Sequence, residues 1–259
     1  MSVEPGRGWR LVAETGVVIL LAAGALVAGF ELVRTLGMSV AARGWVTVTT
    51  LVVAWEVGFL WDNRGANRPT DGGRRLATFG AANAVTILRG TLFAGVAGFV
   101  AVEPAGLLAW GPAALHGIGV SLDAVDGVVA RRLGEPTTLG SRLDHAFDTL
   151  GFLVAPIVAV VWGQLPIWYL SLSVARYLYR AAVWLRRRRG RAVGDLPPPL
   201  LRRPLAAVQM AFITAALAPA TPAGPVAAVA VAVLVPSLAA FGWDYLLVTG
   251  RATPVVADG

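Results

Sequence analysis

Long apolar stretches, separated by short segments rich in arginine, run through almost the whole of this sequence. Hydrophobic residues make up 56% of its 259 residues and charged residues only 14%, whereas soluble domains carry about 25% charged residues. A chain with so few charges must place much of its surface in lipid. Several of the apolar stretches reach the roughly 20 residues that a helix needs to cross the hydrocarbon core of a bilayer. The sequence therefore predicts an all-α integral membrane protein.

Hydropathy predicts eight spans, two before and six after an arginine-rich linker at 62–76. Glycine, proline and charged residues in this linker are not expected to build a core. The boundary between an N-terminal two-helix hairpin with its linker, residues 1–66, and a six-helix unit, residues 76–250, is placed there. The predicted spans are 16–36, 45–61, 82–102, 105–133, 141–162, 165–185, a span that follows Arg203 and ends near Pro219, and 226–248.

The arginines predict how the chain is oriented in the membrane. Those at 64–75, 131–142, 186–191, 202–203 and 251 all fall on one side of an eight-span arrangement, and only Arg34 and Arg43 fall clearly on the other. Because positively charged loops stay on the cytoplasmic side, we expect a multi-pass protein of the cell membrane with both termini in the cytoplasm. The arginines lie between apolar segments and not along one soluble face, so nucleic acid is not an expected partner.

Two of the glutamates fall in or beside the predicted hairpin spans, at similar membrane depths. Glu14 and Glu56 are expected at the membrane interface, although pairing with arginines of the six-helix unit is the alternative. His116 lies deep in the second span of the six-helix unit and is expected to be hydrogen-bonded packing.

Four of the fifteen acidic residues cluster on either side of the break between the spans 105–133 and 141–162. One pair is spaced three residues apart and the other four, so that each pair lies on one helix face, and the two helix ends are adjacent. Carboxylates gathered at one membrane depth repel one another unless a cation lies between them, and oxygen ligands without cysteine favour Mg²⁺ or Mn²⁺ over zinc. The four are Asp123, Asp126, Asp144 and Asp148.

Two neighbours of these aspartates suit a phosphate-bearing ligand. Gly127 has no side chain to keep such a ligand away from the helix backbone. Arg131 follows one turn later and can meet a phosphate. The segment is therefore interpreted as a site for a metal-bound diphosphate.

The arrangement Asp123-x-x-Asp126-Gly127-x-x-Ala130-Arg131, eight residues, Gly140-x-x-x-Asp144-x-x-x-Asp148 is similar to the signature of the class I CDP-alcohol phosphatidyltransferases. Every fixed position and every gap matches. Upstream, Asn83-x-x-Thr86-x-x-Arg89 resembles the entry to the first core helix of that family. The resemblance covers roughly residues 76–250 and leaves the N-terminal hairpin outside.

The resemblance implies a six-helix core in which a CDP-linked lipid, CDP-diacylglycerol or a CDP-archaeol-type lipid, gives its phosphatidyl group to a small alcohol and releases CMP. It implies two Mg²⁺ or Mn²⁺ ions held by the four aspartates, with Asp148 also acting as general base. The site would face the cytoplasm, and a homodimer is expected by family analogy. The residues that resemble the family's cytidine-diphosphate contacts are Asp123, Gly127, Arg131, Gly140 and Ser141.

The acceptor alcohol is less constrained. Arg176 and Arg180 lie four residues apart on one helix face near the depth of the aspartates, where they could bind a phosphorylated acceptor such as glycerol 3-phosphate or inositol phosphate. The alternative, that both reach towards lipid phosphates, stays open.

Two other classes of protein are weighed against this enzyme. An intramembrane prenyltransferase would need a second aspartate-rich motif, but Asp195 and Asp244 each stand alone. A divalent-cation carrier, or another non-catalytic membrane protein, would place acidic groups along several helices through the bilayer. Here the acidic groups cluster at one face, which favours the enzyme.

Overall fold

The computed structural model describes residues 6–36, 38–133, 136–194, 202–221 and 223–251, with the side chains of 6–8, 124–133 and 223 left out. Within these residues the chain forms eight α-helices and no strand, which confirms the all-α prediction. The helices are α1 (Gly6–Thr35), α2 (Ser39–Asn63), α3 (Gly80–Gly98), α4 (Gly111–Leu133), α5 (Thr138–Val161), α6 (Ser171–Arg188), α7 (Arg202–Ala216) and α8 (Ala223–Val248).

Five helical stretches among the described residues are long and apolar enough to cross a membrane. They are Trp9–Thr35, Ser39–Ala66, Gly80–Ala101, Thr138–Val161 and Gly224–Val248. Helices α4, α6 and α7 correspond to the other three predicted spans but do not join this group. Helix α6 ends in a run of arginines, and the 15 residues of α7 extend only about 22 Å. The chain is thus an integral membrane protein, with some shorter or more polar helices than hydropathy predicts.

The predicted span 105–133 is not one continuous α-helix. A 3₁₀ turn occupies Gly106–Trp110, and α4 begins at Gly111. Gly106 has φ +51°, a conformation that glycine adopts readily. The 23 residues of α4 still extend about 35 Å, more than the roughly 30 Å of hydrocarbon.

The linker at 62–76 is more ordered than its composition indicates. Asn67 is fully buried, and its side chain donates hydrogen bonds to the carbonyl groups of Leu76 and Thr78. The Thr138 N–H donates to the carbonyl of Arg68, with N and O 2.9 Å apart. The Asn67 bonds hold the linker's two ends together, and the Thr138–Arg68 bond joins the linker to the start of α5.

Helix α3 is the centre of the bundle and contacts α2, α4 and α5. The N-terminal hairpin is attached to α3 by polar contacts as well as by packing. The Trp45 indole N–H donates to the carbonyl of Gly95 at 3.1 Å. A Glu14 carboxylate oxygen accepts from the backbone N–H of Phe79, 2.7 Å away, at the start of α3. The hairpin therefore holds α3 in place from outside the six-helix unit.

The interface position expected for Glu56 is wrong. Its side chain is buried, with 6% exposed, and no described group hydrogen-bonds to its Oε1. Helix α2 is turned so that Glu56 faces α3 at Gly90, where a Cβ atom would come within 2.9 Å of Oε1. His116 is buried as expected, with its Nδ1 2.8 Å from the Thr214 hydroxyl.

Gly98 provides a test of how the hairpin docks. A Cβ atom there would lie 2.3 Å from Thr49 Oγ1 and 2.7 Å from Trp45 Cδ1. Gly98→Ala should therefore push α2 away from α3 and destabilise the protein by about 1–3 kcal/mol, read as a lower thermal midpoint in detergent.

Gly58→Ala is the matched control, because nothing lies within 4 Å of the position of its Cβ. It should leave stability unchanged or raise it by up to about 1 kcal/mol. Equal effects of the two substitutions would contradict the close contact between α2 and α3.

Candidate active site

Three of the four aspartates singled out in the sequence lie together at one end of the bundle. Asp123 comes from α4, and Asp144 and Asp148 come from consecutive turns of α5. Each offers a carboxylate oxygen, and these oxygens lie within 4.8 Å of one another. The fourth, Asp126, lies on α4, but its side chain is outside the described residues. The convergence expected from the spacing is thus observed for the three described side chains.

Arg89 of α3 lies against all three carboxylates. Its guanidinium forms ion pairs with Asp123, Asp144 and Asp148, and its Nη2 is 3.1 Å from Asp148 Oδ1. The Arg89 side chain is completely buried, whereas those of the three aspartates are 54%, 47% and 34% exposed. The arginine therefore lies beneath the carboxylates, which are accessible from outside the bundle.

The sequence marks Arg89 only as the last residue of the pattern that begins at Asn83. A stronger signal was available, since Arg89 is the only charged residue in α3. An arginine within an apolar membrane helix normally faces the protein interior and pairs there.

The first turn of α5 is tied to the first turn of α3. The Thr137 hydroxyl caps α5 by accepting from the Gly140 N–H at 2.9 Å. It also accepts from the Asn83 side-chain amide at 3.1 Å. A Cβ atom at Gly140 would lie 2.4 Å from Asn83 Oδ1. Gly140 thus allows α3 and α5 to approach closely enough for Arg89 to reach the aspartates of α5.

The structure describes the side chains of only some of the residues that resemble cytidine-diphosphate contacts. Gly140 and the exposed Ser141 lie in the first turn of α5, one turn before Asp144. Gly127 and Arg131 lie on α4, but their side-chain positions are outside the described residues. The roles of all of them remain predictions.

A cavity of about 540 Å³ opens beside the aspartates, between α5, α6, α7 and α8. Asp148 lines it, while Asp123 and Asp144 do not. Arg176 and Arg180 line it too, so both predicted acceptor arginines share one cavity with Asp148. Its charged lining is completed by Arg202, Arg203 and Asp244, and its apolar walls include Phe152, Leu172 and Phe241.

Sequence reasoning did not assign the contribution of α7 and α8 to this cavity. Arg202 Nε lies 3.5 Å from Asp244 Oδ2, so these two residues connect α7 to α8 at the cavity wall. They are 42 positions apart in the chain, and no local pattern relates them.

The donor set suits a hard divalent cation. The described ligand atoms are carboxylate oxygens, the type that Mg²⁺ and Mn²⁺ prefer over sulfur or imidazole. The exposed fractions of the three aspartates leave them accessible to an ion from solvent. The residues therefore fit such an ion.

The chain is similar in sequence to one known protein family and to several curated proteins. The family model described as CDP-alcohol phosphatidyltransferase matches residues 79–241. Three curated proteins named "Putative cardiolipin synthase", one from Mycobacterium bovis and two from Mycobacterium tuberculosis, are each 40% identical over 67 residues, or 26% of this chain and 32% of theirs. The match thus spans about a third of the length of these relatives. No solved structure matches this chain.

Proposed function

Because this chain belongs to the CDP-alcohol phosphatidyltransferase family, we propose that it transfers a phosphatidyl or archaetidyl group from a CDP-linked lipid to an alcohol and releases CMP. The observation that carries this proposal is the junction of the aspartate cluster with the arginine-lined cavity. Asp148 belongs to both. A diphosphate on the aspartate side and an alcohol on the cavity side would therefore meet at Asp148.

In the proposed reaction Asp148 accepts the proton of the acceptor hydroxyl. The alcohol oxygen then forms a bond to the lipid-bearing phosphorus, and the bond from that phosphorus to the CMP oxygen breaks. A divalent cation held by Asp123, Asp144 and Asp148, with Asp126 as the predicted fourth ligand, would neutralise negative charge on the diphosphate. Asp148 is suited to the proton transfer because it alone of the three described aspartates lines the cavity.

The nucleotide is proposed to lie over the start of α5. Gly140 and Ser141 would contact the cytidine diphosphate there, and Asp123, Gly127 and Arg131 would contact it from α4. Gly140 and Ser141 lie in the N-terminal turn of α5, where the helix dipole favours negatively charged ligands. Their backbone N–H groups donate to Thr137, so the dipole and the exposed Ser141 hydroxyl would make this contribution.

Arg176 and Arg180 are proposed to bind the acceptor. Both line the cavity that contains Asp148, and Arg176 also lies over the Phe152 ring, 5.3 Å from its centroid. Guanidinium groups bind phosphate through charge-assisted hydrogen bonds. Both arginines line a cavity inside the bundle, and this position favours binding of a phosphate on the acceptor over contact with the phosphates of surrounding lipids.

A second candidate acceptor is a phospholipid alcohol. Apolar walls formed by Phe152, Leu172 and Phe241 could accommodate acyl chains. The name of the curated relatives refers to synthesis of a phospholipid. Both candidates bring a phosphate to the same arginines and differ in whether lipid chains accompany it.

Arg176→Ala is expected to raise the acceptor KM about 10-fold or more, since a lost charge-assisted hydrogen bond costs about 1.5–3 kcal/mol. The KM for the CDP-linked lipid should change much less. Arg187→Ala is the matched control, because Arg187 lies exposed on the same helix outside the cavity. Equal increases in both KM values would return Arg176 to a structural role.

The function is tested by CMP release from purified protein in detergent, with CDP-diacylglycerol, Mg²⁺ or Mn²⁺, and a panel of acceptors. The panel contains glycerol 3-phosphate, inositol, inositol phosphate, serine and phosphatidylglycerol. Release with a phosphorylated acceptor would support the proposed role of the arginines. Release only with inositol or serine would refute that role and leave the transferase activity in place.

We further propose that the protein is a multi-pass protein of the cell membrane with its site and both termini in the cytoplasm, and that it forms a homodimer. The orientation is supported by the arginines that follow α2, end α6 and begin α7, on the side of the bundle where the aspartates lie. The division into a hairpin, residues 1–66, and a catalytic unit, residues 76–250, is supported by the family match, which begins at residue 79.

A further inference from the structure

Arg89 is both completely buried and in contact with several carboxylates, and its position in the pattern that begins at Asn83 does not explain this combination. It is fully buried, and its guanidinium contacts carboxylates from two other helices. A guanidinium remains charged in proteins, so Arg89 brings a fixed positive charge to the base of the aspartate cluster.

Arg89 and the three aspartates compensate each other's charge. Carboxylates whose oxygens lie within 4.8 Å repel one another, and a buried arginine without a partner is strongly destabilising. Each of the three ion pairs cancels part of both penalties. The guanidinium thus neutralises part of the negative charge of the cluster.

The same contacts oppose a metal ion. An incoming cation would be repelled by the guanidinium at the distance of one carboxylate, and it would share oxygen atoms that already accept hydrogen bonds from Arg89. Repulsion of this kind is weakly screened at a buried group.

We propose that Arg89 is an internal counter-cation, which holds Asp123, Asp144 and Asp148 together in the metal-free protein and thereby weakens their binding of a divalent cation. The part that concerns metal rests on the proposed function. The part that concerns the metal-free protein rests only on the observed ion pairs.

The metal-free part is tested by thermal unfolding in detergent with EDTA. Arg89→Met keeps an unbranched side chain and removes the charge, and it should lower the unfolding midpoint by at least about 5 °C. Arg89→Lys, which keeps a charge but not the guanidinium geometry, should lie between Arg89→Met and the unsubstituted protein.

A charge-rescue experiment separates electrostatics from simple packing. Asp144→Asn should lower the midpoint when Arg89 is present, because an ion pair is lost. In the Arg89→Met background the same substitution should raise the midpoint, because carboxylate repulsion is relieved. This reversal of sign is the expected result, and Asp144→Asn destabilising in both backgrounds would overturn the proposal.

The rescue also covers the case in which Arg89→Met cannot be purified. The double variant should then be recoverable, and failure of both variants alongside a stable Asp144→Asn protein would count against the proposal.

The metal part is tested by Mn²⁺ titration monitored by electron paramagnetic resonance, without substrate. Arg89→Met should bind Mn²⁺ at least about 10-fold more tightly than the unsubstituted protein, the effect of one nearby unit charge in a partly polar site. Weaker binding by Arg89→Met would show that Arg89 orients the ligands, and would overturn its role as a competing cation.

Failure of the proposed function has a different signature. If the unsubstituted protein binds no Mn²⁺, the metal site and the transferase mechanism fail together. The unfolding experiments in EDTA still decide whether Arg89 is the counter-cation of the three aspartates.

Discussion

Asp148→Asn should reduce CMP release by about 1,000-fold or more and leave the helical fold intact. The amide has nearly the shape of the carboxylate but cannot accept the hydroxyl proton, and positioned general bases contribute about 10²–10⁴-fold to rates. Asp148 lies at the junction of the aspartate cluster and the cavity. The other described carboxylate in the cavity lining, Asp244, lies outside the aspartate cluster and is paired with Arg202, so it is not placed to replace Asp148. Metal binding should also weaken, because one ligand is lost.

The measurement is the steady-state rate of CMP release, with circular dichroism and size-exclusion chromatography to verify folding. Asp62→Asn is the matched control, since Asp62 is exposed near the end of α2 and should tolerate the same chemical change. Normal turnover by Asp148→Asn would remove Asp148 from the proposed mechanism.

Removal of divalent cations should abolish activity, and Mg²⁺ or Mn²⁺ should restore it. The aspartate cluster offers only carboxylate oxygens among its described ligand atoms, so the diphosphate charge would otherwise meet like charge. Asp144→Asn, which removes one proposed ligand, should raise the Mg²⁺ concentration needed for half-maximal activity by about 10-fold or more.

The experiment measures CMP release after dialysis against EDTA and during titration with each ion. Asp62→Asn again serves as the control and should need the same Mg²⁺ concentration as the unsubstituted protein. Full activity in excess EDTA would contradict a metal-dependent transfer.

Local periodicity explains what could be predicted from the sequence. The length of the apolar stretches predicts helices, and most helix ends fall within a few residues of the predicted ends. Spacings of three and four predict which aspartates share a helix face. The short break after α4 places Asp123 near Asp144 and Asp148, because adjacent helix ends are close in space.

Tertiary contacts explain what could not be predicted. The rotation of α2 about its axis determines that Glu56 faces Gly90 and not the membrane interface. A hydropathy profile gives no information on that rotation. The pairing of Arg202 with Asp244 depends on how α7 packs against α8. The carboxylates that pair with Arg89 belong to two other helices, so its position in α3 indicates that it is paired but not with which residues.

The N-terminal hairpin illustrates the same distinction. It lies outside the matched family region, yet Glu14 and Trp45 hold the helix that carries Arg89. A segment outside the family match therefore helps to position a residue of the candidate active site.

The proposed transfer is tested by measuring both products of one reaction. Purified protein is incubated with CDP-diacylglycerol, Mg²⁺ and the acceptor panel, and CMP and new phospholipid are quantified by mass spectrometry. A phosphatidyl transfer at this site should give equal amounts of CMP and of one new phospholipid, formed only with metal and lost in Asp148→Asn. CMP release without a matching lipid product, or no release with any acceptor, would contradict it.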